Sequence, residues 1–87
     1  MPVRLLLYTR SYCHLCDDMQ HALAPLVAQH GIDLVLVDVD ADPKLVALYD
    51  ELVPVLIARL ADGSDLQICH YFLDVCRLTA FLSEQST

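Results

Sequence analysis

The sequence predicts a single α/β domain whose elements follow the order β-α-β-α-β-β-α. Three observations support this fold class: apolar runs of strand length, a helical periodicity between the first two runs, and an Asp-Gly turn between the last two. The 87 residues, of which 56% are hydrophobic, suffice for one compact core and are too few for two. We therefore assign residues 1–83 to one domain and residues 84–87 to a polar C-terminal tail.

The first strand and the first helix have the clearest patterns. Residues 3–8 are apolar apart from Arg4, which is typical of an interior strand covered on both faces. The helix that follows has a buried stripe at helical spacing: Met19, Leu23, Leu26 and Val27. Gly31 supplies its C-terminal stop, and Pro25 should bend the helix midway without ending it.

The middle of the chain completes a β-α-β unit and then forms a short helix. Residues 32–39 are predicted to be a second strand, and a helix between two strands of one sheet makes those strands parallel. Asp42 is a candidate N-cap for a second helix that runs from Pro43 to Tyr49.

The pattern of the last third of the chain predicts a hairpin and a final helix. Residues 54–60 and 66–71 have the pattern of strands, and the short turn at residues 62–63 makes the pair antiparallel. Asp74 is predicted to cap a last helix that buries four side chains: Val75, Leu78, Phe81 and Leu82.

Charge and hydropathy exclude two classes of partner. The 12 acidic and 5 cationic side chains give a net charge of −7, which repels phosphate backbones and argues against nucleic-acid binding. The apolar runs are too short to cross a membrane, so no membrane partner is expected. The N-terminus lacks the cationic segment and cleavage site of a signal peptide, which predicts a cytoplasmic location. We expect a monomer.

Two cysteines, Cys13 and Cys16, lie where the first strand gives way to the first helix. A helix N-terminus presents unpaired amide N–H groups, which favour a thiolate at Cys13. We therefore predict that Cys13 is the nucleophile and that Cys16 resolves the mixed disulfide. Arg10 and a protonated His14 would stabilise this thiolate, whereas the aspartates at positions 17 and 18 would oppose it. His14 is alternatively a solvated side chain without a role at Cys13.

The same cysteines are a weaker candidate for a metal site. A tetrahedral zinc site needs two more ligands, and His21 lies about 140° around the helix from Cys16. Cys69 and Cys76 are interpreted as buried small hydrophobic residues, and they could complete a site only by approaching the N-terminus of the first helix. The aspartates at positions 38, 40 and 42 lack the glycine and the glutamate that a calcium loop requires. No metal is predicted.

Two segments of the chain, taken with the element order, carry a family resemblance. They are Tyr8-Thr9-Arg10-Ser11-Tyr12-Cys13-His14-Leu15-Cys16 and Val53-Pro54-Val55. Together they resemble glutaredoxins and the wider thioredoxin-fold superfamily. The chain is most similar to short bacterial glutaredoxin-like proteins of unassigned substrate, which share the Cys-His-Leu-Cys turn and an acidic stretch like residues 37–43. The resemblance implies a four-stranded mixed sheet, with the first and last helices on one face and the second helix on the other.

The resemblance also implies a set of site residues. Cys13 and Cys16 would be catalytic, and seven residues would contact the substrate: Arg10, Tyr12, His14, Leu15, Val53, Pro54 and Asp74. Pro54 is expected to be cis and beside Cys13, with the backbone of Val53 exposed to pair with an extended substrate segment. Arg10 matches a lysine that lies near the glutathione carboxylate in glutaredoxins. Asp74 matches an acidic contact to the γ-glutamyl amine, although capping the last helix is an equally good role for it.

Several positions depart from the glutaredoxin pattern in ways that affect the substrate. The Cys-Pro-Tyr-Cys motif of glutaredoxins is replaced by Cys-His-Leu-Cys at residues 13–16. Leu52 stands where glutaredoxins have a threonine before Val-Pro. Tyr71-Phe72 replaces the Gly-Gly that lets glutathione approach. The usual glutathione site is therefore degraded. No tightly bound cofactor is expected, and glutathione is a candidate only as reductant.

These features predict a small dithiol-disulfide oxidoreductase. Its expected substrate is a disulfide-containing protein or a glutathione mixed disulfide, and its expected reductant is glutathione or thioredoxin reductase. Two alternatives stay open. One is an iron-sulfur carrier in which Cys13 and glutathione hold a cluster shared by two subunits, and the other is a thioredoxin-fold interaction module without redox activity.

Overall fold

The chain folds in the predicted element order, with one short 3₁₀ helix in addition. A computed structural model describes residues 4–11 and 13–85. The strands are β1 (Arg4–Thr9), β2 (Asp33–Asp38), β3 (Val55–Arg59) and β4 (Asp65–His70). The α-helices are α1 (His14–His30), α2 (Pro43–Tyr49) and α3 (Val75–Gln85), and the 3₁₀ helix Val39–Ala41 lies between β2 and α2. Helix α3 extends two residues beyond the domain boundary predicted at residue 83.

The four strands form one mixed sheet in the order β2-β1-β3-β4. Strand β1 pairs in parallel with β2 and antiparallel with β3, and β3 pairs antiparallel with β4. These directions confirm the predicted crossover and hairpin. They also place β1 in the interior of the sheet, with Leu7 opposite Leu36 on one side and opposite Leu56 on the other.

Helices cover both faces of this sheet. Alternation along β1 sends Leu5 and Leu7 to one face and Leu6 and Tyr8 to the other. The first face packs against buried residues of α1 and α3: Met19, Leu23, Leu78, Phe81 and Leu82. The second face packs against residues of the 3₁₀ helix and α2: Val39, Leu45 and Tyr49. Burial on both faces explains why the first strand is continuously apolar in sequence.

The helix ends follow the capping signals of the sequence. The Asp42 carboxylate accepts a hydrogen bond from the backbone N–H of Lys44 at 2.9 Å, and Asp74 accepts one from Arg77 at 2.9 Å. Both predicted N-caps are therefore confirmed. Helix α1 continues through Pro25 and ends at Gly31, whose φ of 63° is the left-handed conformation favoured by glycine. The bend at Pro25 stays a prediction.

Two predictions of burial are wrong. Val75 is 49% exposed rather than buried, because it is the first residue of α3 and faces a surface groove instead of the sheet. Cys76 is exposed and Cys69 is only partly buried, so they are not the buried hydrophobic residues that were predicted. Cys76 precedes the buried Leu78 by two positions, which places it on the opposite side of the helix.

Within residues 4–11 and 13–85, no helix combines the length and the apolar character that spanning a membrane requires.

The packing of α1 predicts a specific loss of stability. Leu23→Ala should lower the free energy of unfolding by about 2–5 kcal/mol, because the Leu23 side chain is 0% exposed and its removal leaves a cavity. The matched control is Leu48→Ala, a helical leucine that is 63% exposed, and it should change stability by less than about 0.5 kcal/mol. Urea unfolding followed by circular dichroism measures both. Equal effects would contradict the placement of Leu23 in the core.

Candidate active site

The two cysteines of the turn after β1 are brought together by the start of α1. Cys13 is the N-cap and has an extended backbone, with φ −111° and ψ 104°, whereas Cys16 lies in the first helical turn. Their Cα atoms are 5.2 Å apart, and the two Sγ atoms are joined in a disulfide. This Cα separation is in the usual range for disulfides, so the bond needs no displacement of the backbone.

The helix end also determines the surroundings of the two sulfur atoms. The backbone N–H of Cys16 donates a hydrogen bond to Cys13 Sγ at 3.1 Å, so the sulfur takes the place of a side-chain oxygen at the N-cap. Cys13 is partly exposed, whereas Cys16 is only 3% exposed. The N-terminal amides therefore face the more accessible sulfur, and the second sulfur lies beneath it in the core.

Pro54 lies at the same end of the sheet as the cysteines. The Val53–Pro54 peptide bond is cis, and the Pro54 side chain is fully buried. Strand β3 begins at the next residue, where Val55 is opposite Tyr8 near the end of β1. The C-terminal end of β1, which leads to Cys13, therefore lies beside the N-terminal end of β3, which follows Pro54.

The backbone of Val53 differs from the prediction. Its N–H donates to the carbonyl of Tyr49 at 3.1 Å, so this group is not exposed for pairing with a substrate segment. The physical reason is that helical hydrogen bonding continues beyond α2, since the N–H of Leu52 also donates to the Tyr49 carbonyl, at 2.9 Å. The N–H of Val53 is therefore already used within the chain.

Arg10 is joined to the acidic stretch that follows β2. Its Nη2 lies 2.9 Å from Asp40 Oδ1, and its Nε donates to Asp40 Oδ2 at 3.4 Å. The N–H of Asp40 in turn donates to the Asp38 carboxylate at 3.0 Å, which orients the 3₁₀ helix. The cation predicted to contact a glutathione carboxylate therefore already has a carboxylate partner in the chain itself.

Tyr71 is a residue whose role the sequence did not reveal. Its N–H donates to the carbonyl of Pro54 at 2.9 Å, and its hydroxyl donates to the carbonyl of Glu51 at 2.6 Å. The backbone N–H and the side-chain hydroxyl of Tyr71 thus both bind the loop that precedes β3. Its φ of 64° is the left-handed conformation that glycine adopts most easily. The Gly-Gly of the glutaredoxin pattern at this position could have indicated it, because glycine is typical of a left-handed conformation.

A surface groove of about 300 Å³ begins beside the cysteine turn. One wall comes from α1 and the other from the segment between β4 and α3: Leu15, Asp18, Met19 and Ala22 on the first, and residues 71–73 with Val75 on the second. We call it the apolar groove, since almost all of its lining is hydrophobic. Phe72 is 70% exposed along its edge.

The other predicted site residues are more dispersed. His14 is the first residue of α1 and is exposed. Asp74 caps α3, which supports the simpler of its two predicted roles. Tyr12 lies outside the described residues. Within the part of the chain that the structure describes, no group of three or more His, Cys, Asp or Glu side chains could hold a metal ion.

The strand order, the helices on both faces and the cysteine pair after β1 define a thioredoxin-like protein. Solved thioredoxins share this fold. Chloroplastic thioredoxin z has a TM-score of 0.74 at 16% identity, covering 98% of this chain and 79% of that chain. Thioredoxin-2 of the malaria parasite has a TM-score of 0.74 at 23% identity, covering 95% and 82%. At these identities the likeness concerns the fold alone.

The chain belongs to the glutaredoxin-like domain family (DUF836), which matches residues 4–83. It is similar to protein Ne2328 from Nitrosomonas europaea, with 34% identity, a TM-score of 0.78, and coverage of 93% of this chain and 92% of that chain. A structural-genomics target protein from X. campestris is 37% identical, with a TM-score of 0.63 and coverage of 92% and 96%. No curated protein sequence gives a significant match. The predicted family and fold class are confirmed.

The two cysteines outside the disulfide should react at different rates. Burial raises the pKa of the Cys69 thiol, and a backbone hydrogen bond from Asp74 opposes this effect only in part. Cys76 is exposed. With the disulfide intact, iodoacetamide at about pH 8 should modify Cys76 several times faster than Cys69, because the accessible thiolate is the reactive form. Peptide mass spectrometry measures both rates.

Cys76→Ser is the control for this assignment. It should abolish the fast phase and leave only the slow modification of Cys69. Equal rates at the two cysteines would contradict the partial burial of Cys69 in β4.

The ion pair between Arg10 and Asp40 should contribute only weakly to stability, since the two side chains are 37% and 40% exposed. A double-mutant cycle of Arg10→Ala and Asp40→Ala should give a coupling free energy of about 0.2–1 kcal/mol. The coupling should decrease with added salt, because exposed charges are screened. Urea unfolding at low and high salt measures it. A coupling above about 2 kcal/mol that does not respond to salt would contradict a solvent-exposed pair.

Proposed function

We propose that this protein is a small thiol-disulfide oxidoreductase in which Cys13 attacks a disulfide and Cys16 resolves the product. The observation that carries the proposal is the disulfide between a partly exposed Cys13 at the N-cap of α1 and a buried Cys16 in its first turn. A nucleophile has to reach its substrate, whereas a resolving thiol has to reach only the nucleophile. The difference in exposure fits these two roles.

The reaction transfers two electrons from the protein to the substrate. The Cys13 thiolate attacks one sulfur of the substrate disulfide, so that a mixed disulfide forms and the other substrate sulfur leaves as a thiolate, which takes up a proton. The Cys16 thiolate then attacks Cys13 Sγ and displaces the second substrate sulfur. The products are a substrate dithiol and the Cys13–Cys16 disulfide, which an external dithiol or two molecules of a monothiol reduce again.

The start of α1 supplies the electrostatic support for the attacking thiolate. The amide of Cys16 points at Cys13 Sγ, and the helix N-terminus carries a partial positive charge. Arg10 supplies less support than the sequence suggested, because the Asp40 carboxylate beside its guanidinium offsets part of its charge. Backbone amides are therefore the main stabilising groups in this proposal, with the exposed His14 as an additional cation when it is protonated.

The partners follow from this chemistry. The substrate is a protein disulfide or a glutathione mixed disulfide, bound near Leu15, Pro54 and the carbonyl of Val53. The reductant is glutathione or thioredoxin reductase, and the reaction takes place in the cytoplasm. Asp74 caps α3 and, in this proposal, also offers a carboxylate to a substrate amine.

Substitution of each cysteine tests the proposal. In a Cys76→Ser background, which removes the exposed free thiol, Cys13→Ser should reduce the rate of disulfide reduction by at least about 100-fold, because a serine hydroxyl does not attack disulfides at neutral pH. Cys16→Ser should instead stop at the mixed disulfide, which non-reducing mass spectrometry detects as one substrate thiol attached to Cys13. The substrate is a small aromatic disulfide whose released thiol absorbs visible light.

The remaining cysteines provide matched controls. Cys69→Ser and Cys76→Ser should each retain activity within about twofold, since neither sulfur belongs to the disulfide. Activity of Cys13→Ser equal to that of the wild type would sink the proposal and favour an interaction module without redox chemistry.

A further inference from the structure

We propose that the apolar groove selects protein disulfides in which the attacked cysteine is flanked by a large apolar residue and a cationic residue. The proposal rests on the proposed function and concerns which disulfides Cys13 attacks. Glutathione disulfide should be a poor substrate by comparison.

The groove is continuous with the cysteine turn. Leu15 lies between the two cysteines in sequence and also lines the groove. A substrate chain whose cysteine is joined to Cys13 therefore places a neighbouring residue over Leu15. The groove continues from there along α1 to Val75 at the start of α3.

The lining of the groove favours an apolar side chain. Phe72 is 70% exposed and Val75 is 49% exposed, so water contacts hydrophobic surface that a bound side chain would cover. The volume of about 300 Å³ is at the lower end of the range for ligand pockets. This space fits one large apolar side chain better than it fits a cofactor.

Charge determines the second residue of the substrate. Asp18 is the one charged side chain among the described residues that line the groove, and the whole chain has a net charge of −7. A cation beside the apolar residue would therefore be attracted, and an anion would be repelled.

Glutathione matches the groove less well. Its two carboxylates outnumber its one ammonium group, so its net charge is negative like that of the protein, and it has no large apolar side chain. Tyr71 lines the groove, and its hydroxyl and N–H both bind the loop before β3. Net charge and the lack of an apolar side chain thus both disfavour glutathione.

Four synthetic peptides test this selectivity. Each contains one intramolecular disulfide, and they differ only at the two residues beside the first cysteine: leucine-lysine, serine-lysine, leucine-glutamate and serine-glutamate. Fully reduced protein is mixed with excess peptide or excess glutathione disulfide, and oxidation of the protein is followed by rapid acid quench and chromatography. No other reductant is needed, because the protein dithiol supplies both electrons and the peptide dithiol is the product.

The leucine-lysine peptide should react about tenfold faster than the serine-lysine peptide and at least tenfold faster than glutathione disulfide. Phe72→Ser should remove most of the preference for leucine over serine. Its matched control is Leu48→Ser, which replaces an exposed leucine of α2 on the other face of the sheet and should leave the preference unchanged.

Asp18→Asn tests the charge preference separately. It should reduce the preference for lysine over glutamate by about threefold, whereas Asp17→Asn on the adjacent residue outside the groove should have a smaller effect. Each preference is a ratio of two peptide rates measured in the same variant, so any change in the basic reactivity of Cys13 cancels. In Leu48→Ser, reduction of the small aromatic disulfide should also stay within about twofold of wild type.

The outcomes separate this inference from the proposed function. Equal rate constants for all four peptides, or an unchanged leucine preference in Phe72→Ser, would overturn the inference while leaving the oxidoreductase assignment intact. Faster reaction with glutathione disulfide than with the leucine-lysine peptide would also overturn it. Failure to reduce any disulfide would overturn both.

Discussion

The antiparallel pairing of β1 with β3 is the constraint on which the whole site depends. Strand β1 leads into the cysteine turn, and β3 starts directly after Pro54, so their pairing brings these two segments to one end of the sheet. Strand β4 then returns to the same end, where the N–H of Tyr71 reaches the Pro54 carbonyl. The cysteine turn, the Pro54 segment and the end of β4 are distant in sequence, and they lie at one end of the sheet because neighbouring strands pair in a fixed register.

Burial on both faces of the sheet holds this register. A shift of one residue along β1 would exchange Leu5 and Leu7 with Leu6 and Tyr8, and each set is packed against a different helical layer. Covering a leucine completely contributes about 1.5–3 kcal/mol, so such a shift would have to disturb contacts on both faces at once. The cysteine turn is therefore attached to a strand that is buried on both faces, while Cys13 itself is partly exposed.

The sequence predicted the features that depend on local signals. Apolar runs located the strands, and Asp42 and Asp74 marked helix starts, because capping involves only the next three residues. The spacing of the cysteines located the candidate site in the same way.

Other features could not be predicted because they depend on tertiary contacts. The Arg10–Asp40 pair joins residues 30 positions apart, and the Tyr71 hydroxyl reaches Glu51 across 20 positions. The exposure of Cys76 follows from which side of α3 faces the sheet. No short pattern in the chain encodes these relations.

The chemistry and the selectivity of the proposed site belong to different parts of the fold. The β1–α1 turn carries the cysteines, and the β4–α3 segment carries Tyr71 and Phe72, which the glutaredoxin pattern replaces with glycine. A left-handed conformation costs a residue with a side chain about 1–2 kcal/mol, a cost that glycine avoids. Tyr71 offsets this cost with its hydroxyl, because a hydrogen bond contributes about 0.5–1.5 kcal/mol and glycine could not make the bond to Glu51. Tyr71 therefore holds the loop before β3 from the β4–α3 segment, separately from the β1–α1 turn that carries the cysteines.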